Sequence, residues 1–531
     1  MSKEEKQSMQ EQDDELQAGM DTFFAEPSPK QEQQKKTGGM SKTTKGLIAG
    51  ASVLVLLGGG LTAAMLLRDQ DGESSGNNSS SGNTQPTEEQ ELIPLNENLA
   101  EDLTQVEIKG KDTFTMFRVS EKTEEESAVY SIKGMEDLPL SNNLLSTLAN
   151  NACELYAYDL VEENAENLDK YGLAKPDAQI TMHYEDGTKF SMSIGMESPL
   201  DNVYTYAQVG DDVYLVKSSP MENYRKETTF FLSTTILEEP EQSDYPIVES
   251  VRIEREDLEY DIYLEYVEED EDTSQGGAVA SHVMREPVFA YLTPDKSTDV
   301  TNGMFGLYAA QVVAAHPTDD ELEDAGILEP FCTVTMKCDN GKTYSLYLGD
   351  TYQTESGDQK CYYAYLDGVD VLYGVSADNA VWATMKPGDI TSENILNTYV
   401  WDIATLDVSA NGKKIRFDGE GDKDSYEVKK DGVACDKERF RLFYRFLLYV
   451  YGEELYLDGE IPDAAPDTSI HVVTQDGSED ILVEFYKLDN LNALVVINGQ
   501  PTYKTRASSM EAIEKNIEIF DTNEEFITIW R

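Results

Sequence analysis

Basic residues, histidine, cysteine and tryptophan are scarce in this chain of 531 residues, and each scarcity excludes a class of function. Only 42 Lys and Arg stand against 102 Asp and Glu, which gives a net charge of −60. Nucleic-acid binding depends on cationic side chains that neutralise phosphates, so this charge argues against it. It argues equally against a domain that lies flat on an anionic bilayer. The acidity favours solubility, and attraction of cations or basic partners is the alternative interpretation.

The motifs of the common catalytic and metal sites are also missing. The four histidines are scattered without an HExxH motif, and no GxSxG or SxxK sequence is present. The cysteines are odd in number and have no CxxC spacing, which indicates neither a disulfide framework nor a zinc site. We therefore interpret most of them as small core residues and predict no catalytic residue and no cofactor. The cysteines are Cys153, Cys332, Cys338, Cys361 and Cys435.

One long apolar run is present, at residues 46–67. It begins at Gly46, ends at Leu67 and carries no charge, and Lys45 and Arg68 flank it. A helix of this length crosses about 30 Å of hydrocarbon, so the run predicts a single transmembrane helix. A cleaved signal peptide is the alternative, and the long leader before the run favours an anchor. The lysines before it and the acids after it predict a cytoplasmic N-terminus and an extracytoplasmic C-terminal bulk at the cell membrane.

The segments beside this run have the composition of unstructured chain. Residues 1–45 hold few large apolar side chains, which predicts a disordered cytoplasmic tail. Residues 68–98 are rich in acidic residues, Ser, Gly and Asn, which predicts a flexible linker. Residues 268–277 form a similar polar insertion, which we interpret as a solvated loop.

An internal repeat is the strongest feature of the remaining chain. The landmarks Gly172, Pro176, Gly187 and Gly195 return 154 residues later. They return as Gly326, Pro330, Gly341 and Gly349. Several matches at one offset indicate duplication of a module. A third copy is weaker, because it lacks the Gly-Leu dipeptide and keeps only Pro462 and Pro466 nearby.

Each copy follows the same predicted order of elements. Alternating apolar residues and turns predict a hairpin, a helix, a four-strand meander and a short closing helix. The main helices are expected from the N-cap Ser141, over residues 300–315, and from the N-cap Asp436. The fold class predicted is α+β, with three tandem repeats whose antiparallel sheets are each covered by a helix. The modules predicted are residues 99–239, 245–397 and 398–531.

These landmarks carry a resemblance to a known family. The Tyr-Gly-Leu segment with its following Pro, two strands around an Asp-Gly turn, a Gly that ends the second strand, and a Tyr-rich hairpin resemble the bacterial family known as domain of unknown function 4340. The resemblance covers roughly residues 100–520. It implies membrane-tethered extracytoplasmic proteins, often encoded beside ABC-type transporters related to gliding-motility systems. No catalytic residue is established for that family, so the resemblance implies none here.

One segment offers a weak calcium candidate. Asp418, Glu420, Asp422 and Asp424 place carboxylates on alternate residues, as calcium loops do. An EF-hand also needs Gly at its sixth position and Glu at its twelfth, where this chain has lysines. A solvated hairpin loop is therefore the preferred interpretation.

Aromatic residues raise two further questions. The 30 tyrosines could form a carbohydrate- or peptide-binding platform, but cross-strand packing in sheets is the preferred interpretation. The helix predicted over residues 439–451 is apolar nearly all round, which favours burial between a sheet and a neighbouring copy. If one side were exposed, it would be a candidate partner surface.

Together these patterns predict a non-enzymatic, membrane-anchored interaction or scaffold protein of the bacterial cell envelope. Its expected partners are the membrane and a protein there, such as a subunit of an ABC-type transport system, and no nucleic acid. The alternative is an extracytoplasmic hydrolase that acts on envelope polymer with a carboxylate acid and base. That alternative requires two carboxylates within about 10 Å in one groove.

Overall fold

Short strands with alternating burial dominate the computed structural model, which describes residues 92–123, 127–200, 202–267, 279–354, 357 and 359–528. Strands make up 42% of the structure and helices 18%. Along Thr468–Thr474, for example, every second residue is buried. A sheet with one packed face and one solvated face requires this pattern.

The first part of the chain forms ten strands. They are β1 (Ile93–Asn96), β2 (Leu103–Lys109), β3 (Thr113–Ser120), β4 (Val129–Ile132), β5 (Leu155–Ala157), β6 (Asp159–Glu162), β7 (Ala178–Tyr184), β8 (Lys189–Glu197), β9 (Tyr204–Val209) and β10 (Asp212–Lys217). β1 pairs with β5, and the others form sheet 1 in the order β4-β3-β2-β7-β8-β9-β10-β6.

The middle of the chain forms nine strands. They are β11 (Val248–Arg255), β12 (Ile262–Tyr266), β13 (His282–Glu286), β14 (Ala290–Tyr291), β15 (Gln311–Ala315), β16 (Cys332–Cys338), β17 (Thr343–Gln353), β18 (Lys360–Leu366) and β19 (Val371–Ser376). They form sheet 2 in the order β14-β13-β12-β11-β16-β17-β18-β19-β15.

The last part of the chain forms nine more strands. They are β20 (Ile403–Ala410), β21 (Lys413–Glu420), β22 (Glu427–Lys430), β23 (Val433–Ala434), β24 (Glu454–Leu455), β25 (Thr468–Thr474), β26 (Asp480–Lys487), β27 (Asn492–Ile497) and β28 (Gln500–Arg506). They form sheet 3 in the order β23-β22-β21-β20-β25-β26-β27-β28-β24.

Helices are short, and all but the last lie between these strands in the chain. The α-helices are α1 (Asn142–Asn150), α2 (Ser218–Met221), α3 (Pro294–Thr301), α4 (Asp319–Asp324), α5 (Pro387–Ile390), α6 (Lys437–Leu448) and α7 (Ala507–Ile519). The 3-10 turns are Ala100–Asp102, Leu168–Tyr171, Glu222–Arg225, Thr228–Phe231 and Val381–Ala383. α6 begins at the N-cap Asp436, whose side chain accepts a hydrogen bond from Arg439 N, as the sequence predicts.

The three large sheets follow the same path through space. Sheets 2 and 3 have identical strand orders, and sheet 1 differs by lacking one edge strand. The central strands of each sheet pair antiparallel, as β2 does with β7, β11 with β16 and β20 with β25. The last strand in each order is β6, β15 or β24. In the chain this strand comes directly before a run of four paired strands, which are β7–β10, β16–β19 and β25–β28, respectively. We call the parts of the chain that form these sheets regions 1, 2 and 3.

The packed faces of all three sheets contribute to one hydrophobic core. Val106, Val251 and Leu406 occupy corresponding central positions in it, and each is at most 1% exposed. Smaller clusters lie on the opposite face, one per sheet, over the strands near β10, β19 and β28. Each sheet therefore keeps only part of one face open to solvent.

Region 1 is joined to region 2 by residues 231–237, which we call junction 1. Its first part pairs with region 1, where Ser233 N–H donates to Pro139 O at 2.6 Å. Its second part pairs with region 2, where Ala309 N–H donates to Thr234 O at 2.7 Å. The connection is thus held by backbone hydrogen bonds on both sides.

Region 2 is joined to region 3 in the same way by residues 390–394, which we call junction 2. Ser392 N–H donates to Tyr291 O of region 2 at 2.7 Å. Gly452 N–H of region 3 donates to Glu393 O at 2.8 Å. Residues 390–394 are thus hydrogen-bonded to both neighbouring regions.

A recurring tripeptide marks where each region receives the incoming chain. The tripeptides are Leu155-Tyr156-Ala157, Leu307-Tyr308-Ala309 and Val450-Tyr451-Gly452, and the first and third residue of each is buried. The central tyrosines lie opposite Pro94, Thr235 and Asn394, respectively. Whether the three regions are copies of one module stays a prediction.

The predicted α+β fold class is wrong, because the described protein is mostly β. The largest error concerns residues 300–315, predicted as one helix. There α3 ends at Thr301, and β15 occupies Gln311–Ala315. Gly303 and Gly306 interrupt the helical period, and the β-branched Val312 and Val313 favour a strand.

The predicted transmembrane helix finds no support. No helix in the described part of the chain is both long and apolar enough to cross a membrane, and residues 46–67 lie outside that part. Residues 1–45, residues 68–91 of the predicted linker and the insertion at 268–277 also lie outside it. The end of the predicted linker is folded, because β1 pairs with β5 and buries Asn96.

Candidate functional site

The open face of sheet 1 carries a groove of about 410 Å³. Alternation along β2, β7 and β8 sends their apolar residues into the core and their polar residues to this face. The groove is lined by Glu107, Lys109, Gln179, Ile180, Thr181, Ser191, Met192, Ser193, Gln208 and Gly210. Amide and hydroxyl side chains thus supply most of its polar groups.

The groove side chains are ordered by hydrogen bonds across the strands. The hydroxyls of Thr181 and Ser191 lie 3.2 Å apart, and Gln179 Nε2 donates to Ser193 Oγ at 3.3 Å. One negative and one positive side chain, Glu107 and Lys109, balance each other in the lining. A nearly neutral groove in a strongly acidic protein suits a ligand with uncharged polar groups.

The groove holds one carboxylate, and its nearest partner is a histidine. Glu107 Oε1 lies 3.0 Å from His183 Nε2, which belongs to β7. Hydrolysis of a glycosidic bond by an acid and a base requires a second carboxylate about 5 to 10 Å away. The groove lining contains none. The lining described for this groove therefore does not supply the carboxylate pair that the hydrolase alternative requires.

The equivalent positions in the other two sheets have different chemistry. In sheet 2 the place of Glu107 is taken by Arg252, which pairs with Asp261 at 2.6 Å and Glu286 at 2.8 Å. In sheet 3 it is taken by Asp407, which pairs with Arg416 at 2.6 Å. The three open faces thus share a backbone path, and this position holds a cation in sheet 2 and a carboxylate with different partners in sheets 1 and 3.

The four carboxylates of the calcium candidate do not converge. Asp418 pairs with Arg416 at 3.0 Å and Glu420 with Lys429 at 3.2 Å. Both lie in β21, which pairs with β22. Within the described ranges, no group of three or more His, Cys, Asp and Glu side chains is placed to hold a metal ion.

Asp422 has a structural role in the turn that follows β21. Its Oδ1 accepts hydrogen bonds from Asp424 N at 3.1 Å and from Ser425 N at 2.9 Å. Ser425 Oγ also donates to this oxygen at 2.7 Å, and this bond, together with the backbone bonds, favours the ionised form and lowers the pKa of Asp422. The ionised Asp422 side chain therefore stabilises the turn by accepting hydrogen bonds from the residues that follow it.

The repeat landmarks shape the backbone. Gly172 and Gly326 end a 3-10 turn and α4, respectively, with φ near +70°. A Cβ on Gly195 would lie 2.3 Å from Tyr171 O, and one on Gly349 would lie 2.1 Å from Ala325 O. Gly195 and Gly349 thus allow a strand to lie close against the preceding turn in regions 1 and 2, respectively.

Two other landmarks, Gly187 and Gly341, occupy tight hairpin turns with positive φ. Pro176 and Pro330 stand two residues before β7 and β16, respectively. All eight landmarks are structural, and none lines the groove.

Four of the five cysteines are core residues. All five are free, and four of them are buried. Burial raises the pKa of Cys332 to about 12 and that of Cys153 to about 11. Both thiols are protonated at neutral pH, and a protonated thiol is a poor nucleophile.

The groove residues were not singled out from the sequence. The sequence pattern indicates only ordinary solvent-facing positions of alternating strands for Gln179, Thr181, Ser191 and Ser193. Only the pairing of β7 with both β2 and β8 brings them together. The signal available was a stretch of hydroxyl and amide residues on the strands beside the Asp-Gly turn at Gly187.

The described chain is thus an array of three large antiparallel sheets, and the open face of the first carries a polar groove. Residues 131–275 are similar to the family described as Domain of unknown function (DUF4340), which supports the resemblance inferred from the landmarks. The matched stretch begins within β4 and continues beyond β12, so it includes junction 1. No curated protein and no solved structure matches the chain.

Proposed function

We propose that the protein is a non-enzymatic scaffold that holds a partner on the open face of sheet 1. The groove is the observation that carries this proposal, since it offers ordered amide and hydroxyl groups and a single carboxylate. Uncharged polar groups on the partner would meet these donors and acceptors without the repulsion that the acidic protein exerts on anions.

The two junctions support a scaffold role. Backbone pairing on both sides of residues 231–237 and 390–394, together with the shared hydrophobic core, would hold the three sheets in one relation. A rigid surface binds without losing much conformational freedom, which favours affinity. The cationic Arg252 on sheet 2, in contrast to the carboxylates Glu107 and Asp407 on sheets 1 and 3, would let the faces receive different surfaces of one assembly.

We propose further that this scaffold works outside the cytoplasm, at the cell membrane. The resemblance to the DUF4340 family favours a partner in an ABC-type transport system or in envelope assembly. Fractionation of cells, with protease added to intact cells, tests the location. Recovery of the chain in the cytosol, protected from protease, would contradict it.

The groove itself is tested by photocrosslinking in cells. A benzoylphenylalanine residue at Ser191 of the full chain should capture a partner. Gln179→Ala combined with Gln208→Ala should reduce that capture about tenfold, since two hydrogen-bonding side chains are lost. The matched control carries the same photoreactive residue at Leu482, which occupies the place of Ser191 in sheet 3. Equal capture from both positions, or capture unaffected by the double substitution, would contradict the proposal.

A further inference from the structure

Two of the three equivalent edge strands are covered by the region that precedes them. β15 packs against the turn Thr228–Phe231 of region 1. His316, just after β15, brings its Nε2 to 3.7 Å from Asp137 Oδ1 of region 1. β24 packs against α5 of region 2, where a Cβ on Gly388 would lie 3.7 Å from Leu455 Cβ.

β6 is the corresponding edge of sheet 1, and its neighbour in that sheet is β10. The described residues begin at 92, so they contain no region before region 1 that could cover β6. The sequence ahead of β1 is Thr-Glu-Glu-Gln-Glu at residues 87–91. The covering turn of region 1 is instead Thr-Thr-Phe-Phe at residues 228–231. Residues 87–91 therefore lack the apolar side chains that cover the other two edges.

The charge around β6 determines which partner fits. Asp159, Glu163, Glu166 and Asp169 are exposed on β6 and on the segment that follows it. Like charges on neighbouring strands repel each other, so neither the acidic residues 87–91 nor β6 of a second copy suits this edge. A segment with Lys or Arg on alternate positions would pair with these carboxylates.

The backbone of β6 offers hydrogen-bonding groups to such a segment. Tyr158 N–H donates to Leu215 O of β10 at 2.8 Å. Successive amides of a strand alternate in direction, so the N–H of Asp159 points away from β10. An edge with unpaired backbone groups is a template for a further strand.

We propose that β6 is a docking edge, to which another protein adds an extended segment with alternating Lys or Arg residues. The added segment takes the place that the preceding region takes at β15 and β24. This edge is separate from the groove on the open face, so its test is independent of the groove.

The test uses the full chain and a labelled peptide, Lys-Val-Lys-Val-Lys, with fluorescence anisotropy as the measurement. The peptide Lys-Lys-Lys-Val-Val has the same charge without the alternation and controls for non-specific attraction. We expect the alternating peptide to bind at least about tenfold more tightly. Asp159→Asn should weaken binding several-fold, and Asp159→Pro, which also removes the outward N–H, should abolish it. Asp463→Asn, at an exposed carboxylate before β25, should leave binding unchanged.

Two results would overturn the proposal. One is equal binding of the two peptides, and the other is undiminished binding to an Asp159→Pro protein whose thermal melt shows that it is folded. A photoreactive side chain at position 159 identifies the occupant in cells. Crosslinks to residues before 92 of the same chain, or between two copies, would also overturn it. The same side chain at Gln311 of β15 should crosslink to region 1, which validates the geometry.

Discussion

Glu479 is a partly buried carboxyl group where region 3 meets region 2. Its Oε2 accepts a hydrogen bond from Thr398 Oγ1 at 2.5 Å, and Tyr444 donates to Thr398 O at 2.7 Å. Removal from water raises the pKa of Glu479 above the ordinary value of 4.5, and the charge of Asp476 adds to this. The folded protein therefore holds a proton that the unfolded chain releases at lower pH.

The raised pKa makes stability fall as pH rises. Protonated Glu479 contributes its full stabilisation when the pH is below the ordinary pKa of a glutamate. This stabilisation is lost as the pH rises through the pKa that Glu479 has in the folded protein. Glu479→Gln keeps a neutral acceptor for Thr398 at every pH. We expect this variant to match the wild type at pH 4 and to be about 1 kcal/mol more stable at pH 8.

Urea unfolding across this pH range measures the difference for Glu479→Gln. The control, Glu460→Gln, changes an exposed glutamate of the same region and should leave the pH dependence intact. If the free energy of unfolding of Glu479→Gln depends on pH as that of the wild type does, Glu479 is not the source of the pH dependence.

Gly349 gives a second prediction, because a side chain has no room there. A Cβ would lie 2.1 Å from Ala325 O, and the backbone must shift to accept it. We expect Gly349→Ala to lower the free energy of unfolding by about 3 kcal/mol, measured by chemical denaturation. Gly388→Ala is the matched control, since its nearest neighbour is 3.7 Å away and α5 gains a better helix former. It should be neutral or slightly stabilising.

The repeat in the sequence predicted that the landmark glycines matter for the fold, and the structure shows which role each of them has. A residue recurring at one offset must serve the fold, but the sequence does not show that Gly349 faces a carbonyl oxygen. Glu479 was not predictable, because it is one of 102 acidic residues. Only the meeting of two regions removes it from water.

At the scale of elements, the junctions decide how the regions are held together. Ala309 N–H donates to Thr234 O across junction 1, and Ala309 is 4% exposed. Ala309→Pro removes this donor and places a ring in a packed position, so it should cost at least about 3 kcal/mol. Ala309→Gly keeps the donor and should cost about 1 kcal/mol. Region 3 already has Gly452 at the equivalent position.

Digestion with a glutamate-specific protease distinguishes a loosened junction from general unfolding. Residues 238–247 contain several glutamates, and cleavage there should speed up in Ala309→Pro well before the rest of the chain is cut. Cleavage at the same rate in both variants would show that the backbone bond does not hold the junction.

The elements were predictable where the sequence has a strong period. α6 and its N-cap Asp436 follow from side-chain pattern and capping, which are local properties. β15 was mistaken for helix because an edge strand packed on another region need not alternate. All five of its residues have intermediate burial. The recurring tyrosines 156, 308 and 451 would have revealed these edges, because each precedes one.

At the scale of the whole molecule, net charge opposes compactness. The chain carries −60 charges, whose mutual repulsion is stronger at low ionic strength. The Debye length falls from about 30 Å at 0.01 M salt to about 8 Å at 0.15 M. We therefore expect the melting temperature to rise by a few degrees over this range. Exposed ion pairs such as Lys429 with Glu420 weaken at the same time, but each contributes little.

Differential scanning calorimetry in NaCl and in tetramethylammonium chloride measures how the melting temperature changes with ionic strength. Equal rises in both salts indicate screening, whereas a rise in only one indicates binding of a specific ion. A melting temperature that falls as salt is added would contradict the expectation.

Junction 1 also determines how the protein responds to a pull along its length. Four residues, 234–237, pair with region 2, and the ten residues 238–247 then form a mostly exposed loop before β11. While the pairing holds, tension passes through those hydrogen bonds and the loop stays slack. Once it breaks, the loop can extend by up to about 35 Å. Because the packed faces of sheets 1 and 2 contribute to one hydrophobic core, the loop can lengthen only as that shared core opens. The backbone bonds of junction 1 therefore shield the core from a pull along the chain.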